Sequence, residues 1–156
     1  MPSDPLHRPE PARRREHSSS VNVASYAKNF DPALDETFRY RMIIHDLPRR
    51  FHAASRNVQA SMLLERPPLT EQRWDALLAA TAEHLAILHG HPAPKWIDEP
   101  ERFLRIPWIV GSKHYTVLAR SIIDNPPPFY RHGVLPDPRD LDARGGERPY
   151  AAVISQ

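Results

Sequence analysis

The apolar positions in the middle of the chain repeat with the period of an α-helix. Thr70 suits the N-cap position, and Leu69 and Trp74 have the spacing of a hydrophobic staple around it. Gly90 and Pro92 follow the last apolar residue, which is the usual order at the C-terminus of a helix. The pattern therefore predicts a long helix with one buried apolar face. The residues on that face are Trp74, Leu77, Leu78, Thr81, Leu85 and Leu88.

Two further helices are predicted upstream of this one. Asp31 and Pro32 have the residue types of an N-cap and a first helical position, so the first helix is expected to begin there. It ends before Pro48, because the residue that precedes a proline avoids the helical conformation. The second helix follows and stops before Pro67. The side chains expected to face the core are Leu34, Phe38, Met42 and Ile43 in the first helix, and Phe51, Ala54, Val58, Met62 and Leu63 in the second.

Downstream of the central helix, prolines divide the chain into short elements. A short helix is predicted to begin at Pro100, and another helix covers residues 113–124. A Pro-initiated turn or short helix ends at Gly133, and a further one has Asp137 as its N-cap. Residues 148–156 are expected to form a strand or to fray. Within the 113–124 helix, the side chains expected to face the core are Tyr115, Val117, Leu118 and Ile122.

Together, the elements predict a mostly α-helical protein. We expect a compact helical domain with Pro-rich connectors and short irregular or strand segments near the C-terminus. The 156 residues suit one domain with tails. The domain is expected to span residues 23–145, between a disordered basic arm at residues 1–22 and a tail at residues 146–156. The arm is rich in Pro, Arg and Ser, with too few large apolar side chains to offset the entropy lost on ordering.

Charge and composition exclude several classes of protein. The formal net charge of +2 is too small for a domain that binds nucleic acid with its whole surface. The absence of cysteine excludes disulfides and thiolate metal sites, and it fits the reducing cytosol. No apolar run approaches the roughly 20 residues that a membrane-spanning helix needs. We therefore expect a cytoplasmic protein without a membrane segment.

The sequence offers few candidates for chemistry. His84, His89 and His91 lie close together, but the spacing of His84 and His89 does not place them on one helix face. The i, i+4 histidine pair of zinc proteases is absent, as are the nucleophile elbow, the P-loop and the dinucleotide-binding fingerprint. The candidate acids are Asp75, Glu83, Asp98, Glu99 and Glu101. The last three belong to the segment DEPE, which has the pattern of an exposed loop and a helix start. We therefore expect no catalytic residue, no metal and no cofactor.

Three segments carry a resemblance to a known family: RWDALLAATAEHLAILHGHPAPKWIDEPERFL, a PW pair, and NPPPFYRHGVLPDPRDLD. They resemble a domain that often follows an Xre-type helix-turn-helix in actinobacterial transcriptional regulators and in antitoxins of toxin–antitoxin pairs. The resemblance covers residues 73–141, and it implies no catalytic residue. Residues 31–66 contain no tight Gly-containing turn followed by a polar recognition helix. The resemblance therefore implies partner binding rather than DNA binding by this chain.

The function predicted from the sequence is a non-enzymatic protein-interaction module, antitoxin-like or regulatory. Its partner is expected to be a protein, such as a toxin encoded nearby. Aromatic residues and arginine dominate interface hot spots, and several stand beside the Pro-rich connectors, where we expect them to be exposed. The other interpretation of the aromatic side chains is core packing. The predicted partner-binding residues are Trp96, Trp108, Phe129, Tyr130, Arg131 and His132.

Two alternative functions stay open. A nucleic-acid-binding regulator would use the basic arm and the Arg-rich helices, and its candidate residues are Arg13, Arg14, Arg15, Arg49 and Arg50. Contacts of this kind with phosphates weaken steeply with salt. An enzyme of unrecognised type would need a deep pocket that holds polar groups with perturbed pKa values.

Overall fold

The computed structural model describes residues 21–111 and 114–141 of the protein, and this part of the chain is mostly helical, as predicted. The α-helices are α1 (Val23–Lys28), α2 (Glu36–Arg41), α3 (Leu47–Ala53), α4 (Arg56–Leu64), α5 (Gln72–Leu88), α6 (Tyr115–Ile123), α7 (Pro127–His132) and α8 (Pro138–Leu141). A π-helical segment (Met42–Asp46) joins α2 to α3, and 3-10 turns lie at Lys95–Asp98 and Pro100–Arg102. The predicted arm, apart from residues 21 and 22, and the predicted C-terminal tail lie outside the described residues.

The long helix predicted from the apolar pattern is α5, and it forms the centre of the fold. Its side chains are buried without interruption from Trp74 to Ala82. The alanines of this stretch are completely buried, and such small side chains let neighbours approach closely. The π-helical segment, α7 and the Pro100–Arg102 turn all pack on α5. The prediction of one buried face is therefore too narrow, because a helix with neighbours around it is apolar on most of its sides.

Both ends of α5 lie close to the predicted residues. The N-cap is Glu71 rather than Thr70. Thr70 instead donates its backbone N–H and its hydroxyl to the carboxylate of Asp75, at distances of 2.9, 3.0 and 2.8 Å. Burial raises the pKa of Asp75, although these bonds act in the opposite direction. Gly90 has a φ of +66°, the left-handed conformation expected just after a helix end.

The helix predicted to begin at Asp31 begins at Glu36 instead, and it continues past Pro48. Asp35 is its N-cap, and the side chain accepts the backbone N–H of Phe38. Pro48 cannot donate to the carbonyl four residues earlier, and its ring crowds that carbonyl. The wider turn of the π-helical segment, which lies directly before α3, accommodates the proline. The prediction that Pro48 ends the helix is therefore wrong.

Burial in α2 to α4 matches the predicted inward faces in part. The side chains buried as predicted are Ile43, Phe51, Met62 and Leu63, whereas Leu34, Phe38 and Val58 are exposed. The single helix predicted over residues 49–65 is two helices, because Ala54 is extended and Ser55 caps α4. This break places Gln59, rather than its neighbour Val58, on the buried side of α4.

Downstream of α5, the described residues contain a two-stranded parallel sheet. β1 (Trp108–Ile109) pairs with β2 (Val134–Leu135), which follows α7. α7 ends at Gly133, whose φ of +76° is left-handed, so the predicted end is confirmed. The side chain of Asp137 accepts the N–H of Arg139 at the start of α8, as predicted for an N-cap.

The hydrophobic core gathers around α5. It receives buried side chains from α1, from α2 with the following π-helical segment, from α3, α4 and α7, and from β2. Trp96 and Ile97 of the first 3-10 turn close one part of this core. Within the described residues, no helix combines the length and the apolar character needed to cross a membrane.

Candidate interaction surface

The most unusual feature of the surface is α6, which turns its apolar side to solvent. Tyr115 is 80% exposed, Ile123 72% and Ile122 48%, while Leu118 and Ala119 are half-buried. These five residues have the spacing i, i+3, i+4, i+7 and i+8, so they form one stripe along the helix. They also line one shallow depression. We call this stripe the α6 surface. The prediction that Tyr115 and Ile122 face the core is wrong.

The side of α6 that faces the protein is its polar side. Ser121 is fully buried. Arg120 donates from two nitrogens to the carboxylate of Asp137, at 2.8 and 2.7 Å. Asn125, just after the helix, donates its side-chain N–H groups to the carbonyls of Ser121 and Pro136, at 2.6 and 2.8 Å. These hydrogen bonds connect the polar side of α6 to the rest of the protein, and the apolar side faces outward.

One of the predicted partner-binding residues lies beside this surface. The hydroxyl of Tyr130 donates to the carbonyl of Ile122 at 2.6 Å and accepts the N–H of Asn125 at 3.2 Å. The Tyr130 residue is 42% exposed, so its ring remains accessible at the C-terminal end of α6. The structure thus brings an exposed aromatic side chain next to the α6 surface.

Three other predicted partner-binding residues are buried, and the expectation that they are exposed is wrong. Trp96 is 5% exposed, and its indole N–H donates to the carbonyl of Leu63 at 2.9 Å. Phe129 and His132 are completely buried. The Pro-rich connectors fold back against α5 and α4, so these side chains pack into the core. The alternative interpretation of core packing is therefore confirmed for Trp96 and Phe129.

The ring of His132 has hydrogen-bond acceptors at both of its nitrogens. Nδ1 lies 2.7 Å from the carbonyl oxygen of Arg102, and Nε2 lies 2.8 Å from the carboxylate of Glu83. Both ring nitrogens are therefore engaged in hydrogen bonds within the protein. Phe103 stacks on the ring with centroids 4.4 Å apart. This arrangement ties α7 to α5, and it leaves neither ring nitrogen available as a base or a metal ligand.

The remaining predicted partner-binding residues are Trp108, which is half-buried, and Arg131, which is exposed. Trp108 packs edge-on against Trp74 with centroids 5.2 Å apart, and the guanidinium of Arg73 lies over its ring at 4.6 Å. Arg131 forms an ion pair with Glu83 at 2.9 Å. Both side chains are thus engaged within the protein, unlike the side chains of the α6 surface.

Histidines gather at the C-terminal end of α5. The sequence places His89 and His91 there, and the fold adds His52 from α3. The His52 and His89 rings are joined by a contact of 2.7 Å between Nδ1 and Nε2, which is a hydrogen-bond distance. Across residues 21–111 and 114–141, no three His, Cys, Asp or Glu side chains converge in a way that could hold a metal ion.

An open groove of about 680 Å³ lies between α4 and the segment that follows α5. Most of its walls are apolar, with Leu63 and Leu64 on one side and Pro92 and Pro94 on the other. At its rim, Arg66 and Glu99 form an ion pair of 2.6 Å, which lowers the pKa of Glu99. The groove is therefore an apolar surface, and it differs from the deep polar pocket that the enzyme alternative needs.

The arginines proposed for nucleic-acid binding are either paired or outside the described residues. Arg49 and Arg50 both bind the carboxylate of Asp46, at 2.7 and 2.9 Å. Burial acts to raise the pKa of Asp46, but the bonds from Tyr26 and the two arginines outweigh it, so the pKa is lowered. Asp46 thus offsets part of the local positive charge. Arg13, Arg14 and Arg15 lie outside the described residues.

The sequence pattern did not single out Ala119 and Ile123, and it placed Tyr115 and Ile122 on the wrong side of α6. The stripe itself is visible in the sequence, since its spacing is helical. Its direction is not visible, because a stripe that faces a partner has the same spacing as one that faces the core. The signal that decides the direction is the pairing of Arg120 with Asp137, and that pairing requires the fold.

Comparison with known proteins gives no relative: no family model, no curated protein and no solved structure matches the chain. Function is therefore inferred from the residues of the chain itself.

Proposed function

We propose that the protein is a non-enzymatic interaction module, antitoxin-like or regulatory, which binds a partner protein through the α6 surface. The observation that carries this proposal is the exposed stripe of Tyr115, Ile122 and Ile123 on α6. The antitoxin-like character is supported by the resemblance over residues 73–141. The physical argument for binding does not depend on that resemblance.

Exposure of these side chains costs free energy that a partner can recover. Burying a large apolar side chain stabilises by about 1.5–3 kcal/mol. Arg120 in α6 and Asn125 just after it bond to the rest of the protein from the polar side of the helix. The apolar side chains of the α6 surface therefore stay exposed and do not contribute their burial to the stability of the fold. Contiguous exposed apolar side chains mark interaction sites in folded proteins. Tyr130 adds an aromatic ring of the kind that dominates interface hot spots.

The shape of the α6 surface favours a helix as the partner element. The spacing from Tyr115 to Ile123 is that of the anchors with which one helix packs on another. Ala119 is small and lies within the stripe, so it allows close approach of a second helix. The stripe itself contains no charged side chain. We therefore expect the complex to resist salt, in contrast to binding through phosphate contacts.

The experiment that tests this function is the capture of a partner by the full chain in its native host, with nuclease present, followed by affinity measurement with purified components. The variants Ile122→Ser and Ile123→Ser should each weaken binding at least about tenfold, which corresponds to 1.4 kcal/mol. Ile87→Ser is the matched control, because Ile87 is 52% exposed on α5 and lies outside the α6 surface. The control should bind like the wild type.

Other outcomes point to different functions. A partner that binds both α6 variants and the control equally well contradicts the α6 surface as the site. Recovery that disappears with nuclease, or affinity that falls steeply with salt, would favour the nucleic-acid alternative. Light scattering measures whether the protein forms a dimer without any other component. A dimer that the variant Ile123→Ser dissociates would identify a second copy of the chain as the partner that covers the α6 surface.

A further inference from the structure

Four side chains form a hydrogen-bonded chain where α3, α4 and the end of α5 meet. Nδ1 of His52 lies 2.7 Å from Nε2 of His89. Nδ1 of His89 lies 3.4 Å from the side-chain nitrogen of Gln59, and Nε2 of His91 lies 2.9 Å from its side-chain oxygen. We call these four residues the histidine clasp. None of them belongs to the α6 surface, so any role of the clasp is independent of the proposed function.

The direction of each hydrogen bond in the clasp is fixed by Gln59. Its side-chain nitrogen also donates to the carbonyl of Phe51 at 2.9 Å, which sets the orientation of the amide. The amide oxygen must then accept from Nε2 of His91, and the amide nitrogen must donate to Nδ1 of His89. His89 therefore carries its proton on Nε2 and donates it to Nδ1 of His52. This pattern requires the His52 and His89 rings to be neutral, because each accepts a hydrogen bond at Nδ1.

One arginine adds to the contacts with which the clasp holds α4 to the end of α5. Arg56 of α4 donates to the carbonyls of His89 and Gly90, at 3.0 and 3.2 Å. It thereby places a permanent positive charge beside the His89 ring. His52 contributes from α3, so three helices meet at this point. The contacts are polar and partly exposed, which is typical of a region that opens more easily than the core.

The surroundings of these rings disfavour added protons. Desolvation lowers the pKa of His52 and is the largest cause of the lowered pKa of His89. The charges that act on His89 come from His52, His91 and Arg56, all of which are cationic when protonated. The pKa of His84, which lies nearby on α5, is also lowered, to about 4, first by burial and then by His52 and His89.

We propose that the histidine clasp is an acid-sensitive latch, whose neutral form holds α4 against the end of α5 and whose protonation releases this corner. A proton added to Nδ1 of His52 would face the N–H of His89. If the His89 proton moves to Nδ1, it faces the amide N–H of Gln59 instead. One added proton therefore breaks one hydrogen bond of the clasp. A second added proton makes both the His52 and the His89 ring positive, and the two rings are in contact beside Arg56.

Hydrogen exchange of the full chain tests the latch, measured near pH 7.5 and near pH 5 and corrected for intrinsic exchange rates. At the lower pH, we expect protection in α4 and in residues 89–91 to fall about tenfold more than protection in α7. Unchanged protection of α4 contradicts the latch. An equal fall in every helix contradicts it as well, because that result indicates global unfolding.

The variant His89→Gln separates protonation from packing, since glutamine forms hydrogen bonds but does not titrate in this range. We expect the fall of α4 protection relative to α7 to shrink to less than about twofold, while the exposed His114→Gln control keeps the wild-type difference. A variant that keeps the full pH effect overturns the proposal.

The wild-type protein provides a second measurement if His89→Gln does not fold. Nitrogen NMR of the side chains at pH 7.5 should find His52 and His89 with the proton on Nε2. It should also show that both rings become protonated only at a pH below the range in which the histidines of an unfolded chain titrate. The opposite tautomer in His89, or ordinary titration of both rings, contradicts the latch.

Discussion

Arg120 of α6 and Asp137, the residue before α8, form a two-point ion pair. The Nε–Oδ1 distance is 2.8 Å and the Nη2–Oδ2 distance is 2.7 Å. Arg120 lies on the side of the helix opposite the α6 surface, so the pair draws the polar side inward. The hydrogen bonds from Arg120 are also the largest cause of the lowered pKa of Asp137.

The first prediction concerns this ion pair. Arg120→Gln should loosen α6, because the two-point bond to Asp137 is lost. We expect faster hydrogen exchange in Tyr115–Ile123 and weaker partner binding, although no residue of the α6 surface has changed. Substitution of Arg120 is preferable to that of Asp137, which also caps α8. Arg49→Gln removes an exposed ion pair elsewhere and should leave α6 unchanged. Equal exchange of α6 in both variants would argue against this role.

The second prediction concerns Trp96, which was expected to bind a partner and is buried. Trp96→Ala should destabilise the fold by about 3–5 kcal/mol, the usual cost of deleting a large buried aromatic side chain. Trp96→Phe keeps most of the volume and loses the bond to the Leu63 carbonyl, so its cost should be smaller, about 1–2 kcal/mol. Urea unfolding measures both changes. If Trp96→Ala is as stable as the wild type, Trp96 does not pack in the core.

The third prediction compares two glycines with left-handed backbones. A Cβ on Gly133 would lie 2.9 Å from the carbonyl oxygen of Leu104, whereas a Cβ on Gly90 would meet nothing within 4 Å. Gly90→Ala should therefore cost only the left-handed strain, about 1–2 kcal/mol. Gly133→Ala adds a backbone clash and should be clearly more destabilising. Equal unfolding midpoints for the two variants would contradict the close approach at Gly133.

The fourth prediction concerns the pH dependence that His84 contributes to stability. Burial lowers its pKa to about 4 in the folded protein, while the unfolded value is about 6.5. The unfolded chain therefore takes up this proton first, so stability is kept above pH 6.5 and declines as the pH falls toward 4. The difference corresponds to roughly 3 kcal/mol. His84→Leu lacks this contribution, and its stability should decline less over the same range. Ring proton NMR should place the titration of His84 near pH 4.

The sequence predicted the elements whose signals are local. The long helix α5, the left-handed turns at Gly90 and Gly133, and the cap at Asp137 depend on residues within a few positions of one another. The prediction that the helix ends at Pro48 was wrong, because the π-helical segment before Pro48 accommodates the proline and α3 follows directly. The break at Ser55 was missed, because the apolar spacing of residues 49–65 fits one continuous helix as well as two.

Tertiary structure decided which side chains of the candidate site are buried and which are free. Trp96 and Phe129 have the residue types of an interface and of a core, and only the folding of the Pro-rich connectors onto α5 assigned them to the core. The stripe from Tyr115 to Ile123 could have faced inward. The sequence by itself determined that this stripe exists, because helical spacing is a property of neighbours along the chain. The outward direction of the stripe is a property of the tertiary structure, because the fold brings Asp137 to Arg120 on the opposite side of α6.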